Sequence, residues 1–193
     1  MRGRVLLLAV ALNSTGVLVA FAGWMMAATL VLIVGLMTAL YSLRLFEPPA
    51  RPAKVKEVHK SFPVFVRSAY IWALIAASLG IWAASVQNAH GIWGASRHAL
   101  TVGFLATMVF AIGQRVLPGF FGMRLLFSTK LMFVATLLLV LLRVSSEILA
   151  YQGLVRSAWV WLPVSAITEM TAVTLFAANL LATFVRHPPS TQV

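Results

Sequence analysis

The residues of this sequence that could do chemistry are four ionisable side chains inside long apolar stretches: His98, Arg143, Glu147 and Glu169. A charge in an apolar environment is costly, so each of them needs a partner or a purpose. Arg143 and Glu147 are four residues apart and therefore share one helical face, and a long arginine side chain can also reach Glu169 on a neighbouring helix. Two interpretations stay open. One is a structural ion pair; in the other, Arg143 binds an anionic group such as a haem propionate and Glu169 lies on a proton or polar path.

Histidine gives the sharper hypothesis. A neutral imidazole is a common ligand of haem and copper, and one histidine on a membrane helix is how b-type haems are held. His98 stands at the start of the fourth apolar stretch and is the first candidate for a metal ligand. His90, in the adjacent loop, is a second candidate ligand, and the bordering Arg97 is a further candidate for contacting a cofactor. The alternative is a capped or interfacial histidine at a helix start. With no cysteine in the chain, thiolate metal sites are excluded.

The elements that must position these side chains are apolar helices. The chain has 193 residues, of which 61% are hydrophobic and only 10% charged, and its mean hydropathy is +0.95. A water-soluble domain cannot hide that much apolar surface. Apolar stretches of about 18 residues or more can cross a bilayer, and none here alternates as barrel strands do. The sequence therefore predicts an all-α, polytopic membrane helix bundle that forms one integral membrane domain over residues 1–193. Its six transmembrane helices are expected at about 4–23, 25–45, 63–86, 97–117, 128–150 and 158–185.

Basic residues predict the orientation of this bundle. The formal net charge is +11, but the lysines and arginines lie between or at the edges of apolar stretches rather than on a soluble face. They favour contact with a lipid bilayer and argue against a nucleic-acid partner. The basic loop at 46–62 and the charge-poor alternate loops place both termini in the cytoplasm. The first stretch also resembles a secretory signal, although the polar Asn13 in its middle favours a transmembrane helix.

Depth along the helices follows from this orientation. At about 1.5 Å per residue, Arg143 lies roughly 10 Å, Glu147 about 5 Å and Glu169 about 16 Å from the outer helix ends. His98 is expected near the outer surface, with Ser96 as the N-cap of its helix. The four ionisable residues would form one polar cluster in the outer half of the membrane if the last three helices pack together.

Four strings in the second half of the chain carry a resemblance. They are HALTVGF at 98–104, GQRVLPG at 113–119, GMRLLFS at 122–128 and LRVSSE at 142–147. Over about residues 91–186 the chain resembles the NnrS family of haem- and copper-containing bacterial membrane proteins, which are linked to the response to nitric oxide. The resemblance implies a multi-pass protein of the bacterial inner membrane with His98 as haem ligand. Arg115 and Pro118 match the close of the family motif.

The chain also departs from that family. Members are about twice as long and carry a further histidine motif in their first half, whereas the first three apolar stretches here contain no histidine. A symmetric homodimer would supply two copies of His98. The alternatives are a cofactor-free structural or assembly subunit of a larger membrane complex and, ranked below it, a small transporter with Glu169 as coupling site. No nucleophile–base–orienter set is evident, which leaves open whether the chain is an enzyme.

Overall fold

A computed structural model describes residues 3–47, 62–120, 123, 125–126 and 129–186. Throughout these ranges the regular secondary structure is helical and contains no strand. Six helices are long and apolar enough to cross a membrane. The prediction of an all-α, polytopic membrane bundle with six spanning helices is confirmed.

The six helices are labelled here in chain order. They are α1 (Gly3–Phe21), α2 (Met25–Leu43), α3 (Phe62–Ser85), α4, α5 (Thr129–Tyr151) and α6 (Ala158–Arg186). Helix α4 is one continuous run of three parts, α-helical over His90–His98, π-helical over Ala99–Ala106 and α-helical again over Thr107–Phe120. Wide π turns inside an α-helix are rare and occur often at functional sites. The π-helical part of α4 begins directly after His98.

Five of the six helices begin and end within two residues of the predicted positions, and the fourth does not. The sequence predicted its start at 97, whereas α4 begins at His90. This first part is poor in apolar side chains, so a hydropathy scan misses it, yet its small residues are buried against neighbouring helices. Ser96 is therefore not an N-cap. It lies inside the helix, and its hydroxyl donates to the Ala76 carbonyl of α3 at 2.8 Å.

The core of the bundle lies among α3, α4 and α5. One buried cluster joins Trp72 of α3 and Ala99 of α4 to Leu139 and Val140 of α5, and Ala172 of α6 completes it. A second cluster contains Phe65, Phe110, Ala111 and Met132. The alanines in these clusters let the helices approach one another closely. Helix association in a membrane depends on such small side chains, since lipid tails are as apolar as the helices themselves.

The outer surface of the bundle is apolar, as expected where helices meet lipid. In α1 the buried residues are Ala9 and Gly16, while Leu7 is 72% exposed. Helix α6 buries a stripe that includes Ser165, Ala172 and Asn179, and it exposes large apolar side chains on its other faces. In water this surface would be unstable, whereas contact with acyl chains satisfies it. The structure thus agrees with a multi-pass membrane protein in contact with a bilayer.

The orientation of the bundle remains a prediction. Most of the basic loop at 46–62 lies outside the described residues, as do His59 and His187. At the edge of this loop, Arg44 and Glu47 form an exposed ion pair of 3.3 Å. The placement of both termini in the cytoplasm still rests on the distribution of lysine and arginine.

Candidate functional site

His98 lies on the face of α4 that packs against α5. Eight residues separate it from the start of the helix, which places it about 12 Å along the axis. Its Nδ1 atom lies 2.9 Å from the carbonyl oxygen of Gly94, one turn earlier. Because a carbonyl can only accept, this contact assigns the ring hydrogen to Nδ1 and leaves Nε2 as an acceptor. The Arg143 guanidinium of α5 donates to Nε2 at 3.1 Å.

Glu147, one turn after Arg143, completes the group. Its Oε2 atom lies 2.6 Å from Nδ1 of His98, and its side chain is only 10% exposed. The distance is that of a short, charge-assisted hydrogen bond. The alignment of the atoms is not that of a hydrogen bond, because the Nδ1 hydrogen points to the Gly94 carbonyl. Within the described ranges, Oε2 accepts no well-aligned hydrogen bond. A small rotation of the ring shifts the hydrogen from the Gly94 carbonyl oxygen to Oε2 of Glu147.

Two glycines of α4 let Glu147 come this close. A Cβ atom built on Gly94 would collide with Oε1 of Glu147 and would lie 2.7 Å from its Cδ. A Cβ atom on Gly91 would collide with Cβ of Tyr151 and lie 3.0 Å from the Glu147 carbonyl oxygen. The α4–α5 contact therefore needs a hydrogen in place of a side chain at Gly91, and at Gly94 the Glu147 carboxylate occupies the space that a side chain would take. Sequence reasoning overlooked this pair, although the spacing Gly91-x-x-Gly94 immediately before His98 was a readable signal.

The charges of the group balance. One carboxylate and one guanidinium flank an imidazole that is neutral in this hydrogen-bonding arrangement, so the sum is zero. Arg143 is eight residues from the end of α5 at Tyr151, about 12 Å along the axis, and so lies at the level of His98. A buried charge is tolerated in a membrane when a partner compensates it. Of the four ionisable residues that were expected to form one cluster, the structure brings His98, Arg143 and Glu147 together.

Glu169 does not join the group in the predicted way. We expected Arg143 to reach it, but Arg143 contacts His98 instead. Glu169 is half-buried on α6 and forms no ion pair with the residues that the structure describes. The Arg143 guanidinium lies beside His98 at the α4–α5 interface instead.

His90 and Arg97 are also apart from the group. His90 is exposed at the first residue of α4, about 12 Å of helix length from His98, so these two histidines do not share one metal. Arg97 is exposed, and its carbonyl accepts a hydrogen bond from the Thr101 hydroxyl. Over the described ranges, no group of three or more histidine, cysteine, aspartate or glutamate side chains could hold a metal ion.

His98 nevertheless has the surroundings of a histidine that binds a metal as its single ligand from this chain. Metal-binding histidines almost always donate the second ring N–H to a carbonyl or carboxylate, which fixes the ring and its tautomer. Here Gly94 and Glu147 provide that support at Nδ1. The atom left to bind a metal is Nε2, which Arg143 contacts in this structure. Arg143 is half-buried, and a metal at Nε2 would require its guanidinium to move.

Comparisons with known proteins add no family to this chain. No protein-family model matches it, and neither a curated protein nor a solved structure does so. The resemblance to the NnrS family therefore stays a prediction from the sequence strings.

Proposed function

We propose that this chain is a haem-binding membrane protein similar to the NnrS family, with Nε2 of His98 as an axial ligand. The observation that supports this most is the support of Nδ1 by the Gly94 carbonyl beside the Glu147 carboxylate. That arrangement orients the ring and directs the basic Nε2 toward a ligand. A bound b-type haem would supply an iron that exchanges electrons or binds a diatomic gas such as nitric oxide.

Arg143 has a defined part in this proposal. With a haem bound, the Arg143 guanidinium would leave Nε2 and remain at the same depth in the membrane. A haem propionate at that depth would accept the hydrogen bond that Nε2 no longer accepts. Arginine suits this role because its planar donors match a carboxylate. Arg97 and Glu169 are further polar groups that a cofactor could meet from the exposed face of α4 and from α6.

An iron that binds a gas needs no second protein ligand, and an iron with two protein ligands would take the second from another chain, because His90, eight residues before His98 in α4, is too far away to share it. We propose a homodimer, in which two copies of His98 become available, or a larger membrane complex that supplies the ligand. Copper is the alternative metal for the same imidazole. The proposed location is the bacterial cytoplasmic membrane, and the proposed role is in the response to nitric oxide or in membrane electron transfer.

The decisive experiment is an absorption spectrum of the protein purified in detergent, reduced minus oxidised. We expect a haem Soret band that His98→Ala abolishes. His90→Ala is the matched control, since it removes an exposed imidazole from the same helix, and it should leave the band unchanged. A colourless preparation that stays colourless after haemin is added contradicts the proposal, as does a band that survives His98→Ala.

A second candidate function is supported by the contact between Arg143 and Nε2. With that bond, the imidazole, guanidinium and carboxylate satisfy one another without any cofactor. The chain would then be a structural or assembly subunit whose polar group locks α4 to α5. This alternative predicts no haem or copper in the purified protein and loss of partner subunits, rather than of colour, when the group is removed.

A further inference from the structure

A cavity of about 400 Å³ lies between the α1–α2 hairpin and the α3–α4 pair. Trp93, Ser96, Leu100 and Phe104 line it from α4, at helical spacing and on a different face of that helix from His98. Along α3 it extends from Tyr70 to Gly80, which is about 15 Å of helix length. The volume falls in the range of natural ligand sites. Because this volume extends along about 15 Å of α3, the cavity is a narrow slot parallel to the helices.

The wall of the slot offers almost no hydrogen bonds. Three of its polar side chains donate to backbone carbonyls of the protein: Asn13 to Ala9 at 2.7 Å, Thr29 to Met25 at 3.1 Å and Ser96 to Ala76 at 2.8 Å. The hydroxyls of Thr29 and Ser96 thereby use their only hydrogens. Tyr70 packs its ring edge-on against Phe104, with 5.3 Å between ring centroids. A ligand that needs polar recognition would therefore gain little here. One made only of carbon and hydrogen would lose nothing.

The floor of the slot is built for contact rather than for specificity. Four small residues at helical spacing on α3 line it: Ala73, Ala76, Ala77 and Gly80. The gap therefore arises where one face of α3 carries a methyl group or only a hydrogen at each position. Apolar side chains of α1 and α2 would otherwise pack directly onto α3. Lining atoms with no neighbour lose their dispersion contacts, so a filling hydrocarbon would restore what these small residues leave out.

We propose that this slot binds one hydrocarbon chain of a membrane lipid. The slot is not fully enclosed, and the helices around it expose large apolar side chains, so in a bilayer lipid lies next to it. A chain bound there would join the α1–α2 hairpin to α3 and α4. It would add contacts for α1, whose buried residues are Ala9 and Gly16.

Trp93 makes the proposal testable, because it lines the slot. The protein is reconstituted in phospholipid with brominated acyl chains, which quench tryptophan fluorescence on contact. It is then exchanged into detergent with unbrominated lipid. We expect part of the quenching to persist, Trp93→Phe to remove that part, and Trp159→Phe, which changes an exposed ring of α6, to leave it in place. Quenching that disappears at once for the wild type overturns the proposal.

A space-filling variant gives the second measurement. Ala77→Phe places a ring in the slot and should reduce the lipid that co-purifies, measured by mass spectrometry, from about one molecule per chain by at least fivefold. Ala177→Phe makes the same change on the exposed face of α6 and should retain it. Mass spectrometry also separates fatty acyl from isoprenoid lipid, either of which supports a hydrocarbon-chain site. Equal retention in both variants, or detergent as the bound molecule, overturns it, and the tryptophan test decides if Ala77→Phe fails to fold.

Discussion

Nδ1 of His98 lies 2.6 Å from Oε2 of Glu147 across the interface between α4 and α5. The contact joins the two helices at the level where Arg143 donates to the other ring nitrogen. A polar group that pairs its charges inside an apolar bundle specifies one packing of two helices, since every alternative leaves a charge without a partner. The predictions below follow from this group and from the helix contacts around it.

Gly94→Ala should destabilise the fold or displace Glu147. The added methyl group would collide with Oε1 of Glu147, and overpacking of this kind costs about 1–3 kcal/mol. Thermal unfolding in detergent measures the loss. Gly3→Ala is the control, because a Cβ atom there has no neighbour within 4 Å. Equal stability of Gly94→Ala and the wild type would show that the Glu147 side chain moves aside for the added methyl group without cost.

Glu147→Leu should lower the free energy of unfolding more than removal of the whole polar group does. The single change removes the carboxylate beside Nδ1 of His98 and leaves the Arg143 guanidinium as the only formal charge of the group, and we expect a loss of about 3 kcal/mol. The triple variant His98→Phe, Arg143→Met, Glu147→Leu leaves no charge and should unfold nearer to the wild type. Denaturant titration in mixed micelles compares them. If the triple variant is the least stable, the group contributes more than charge balance.

Thr107→Val should be neutral or stabilising. The Thr107 hydroxyl is buried, and no hydrogen-bond partner for it exists among the residues that the structure describes. A buried hydroxyl without a partner costs about 1–3 kcal/mol, and valine has nearly the same shape. Thr136→Val is the comparison, because the Thr136 hydroxyl donates to the Met132 carbonyl at 2.8 Å. A clear destabilisation by Thr107→Val would reveal a bound water or another partner.

Ser96→Ala should weaken the α3–α4 contact by a small amount. Its hydroxyl donates to the Ala76 carbonyl across the interface, and interhelical hydrogen bonds in membrane proteins contribute on average about 0.6 kcal/mol. Ser85→Ala removes only a bond within one helix, to the Trp82 carbonyl, and serves as control. A loss above about 2 kcal/mol would indicate a larger role for this serine.

Single cysteines should report the orientation of the bundle. The chain contains no cysteine, so each introduced thiol is the sole target for a membrane-impermeant maleimide. We expect Gln87→Cys and Gln152→Cys to react from outside intact cells, and Glu47→Cys to react only after the membrane is opened. The reverse pattern would invert the predicted topology while leaving the helix bundle unchanged.

The sequence by itself determined the class of the protein and most of its helix ends. Long apolar stretches form helices in a bilayer, because each backbone N–H and C=O group then has a hydrogen-bond partner within its own segment. This local rule explains why α1, α2, α3, α5 and α6 begin and end within two residues of the predicted positions. It also selected His98, Arg143 and Glu147, since a charge is conspicuous in an apolar stretch.

The tertiary structure decided which partners these side chains have. The first turns of α4 are too polar and too rich in glycine for a hydropathy scan, and they are helical because Gly91 and Gly94 pack on α5. Arg143 pairs with His98 rather than with Glu169 for a related reason. Pairing depends on the rotation and closeness of neighbouring helices, which are set by the volumes of side chains far apart in the sequence.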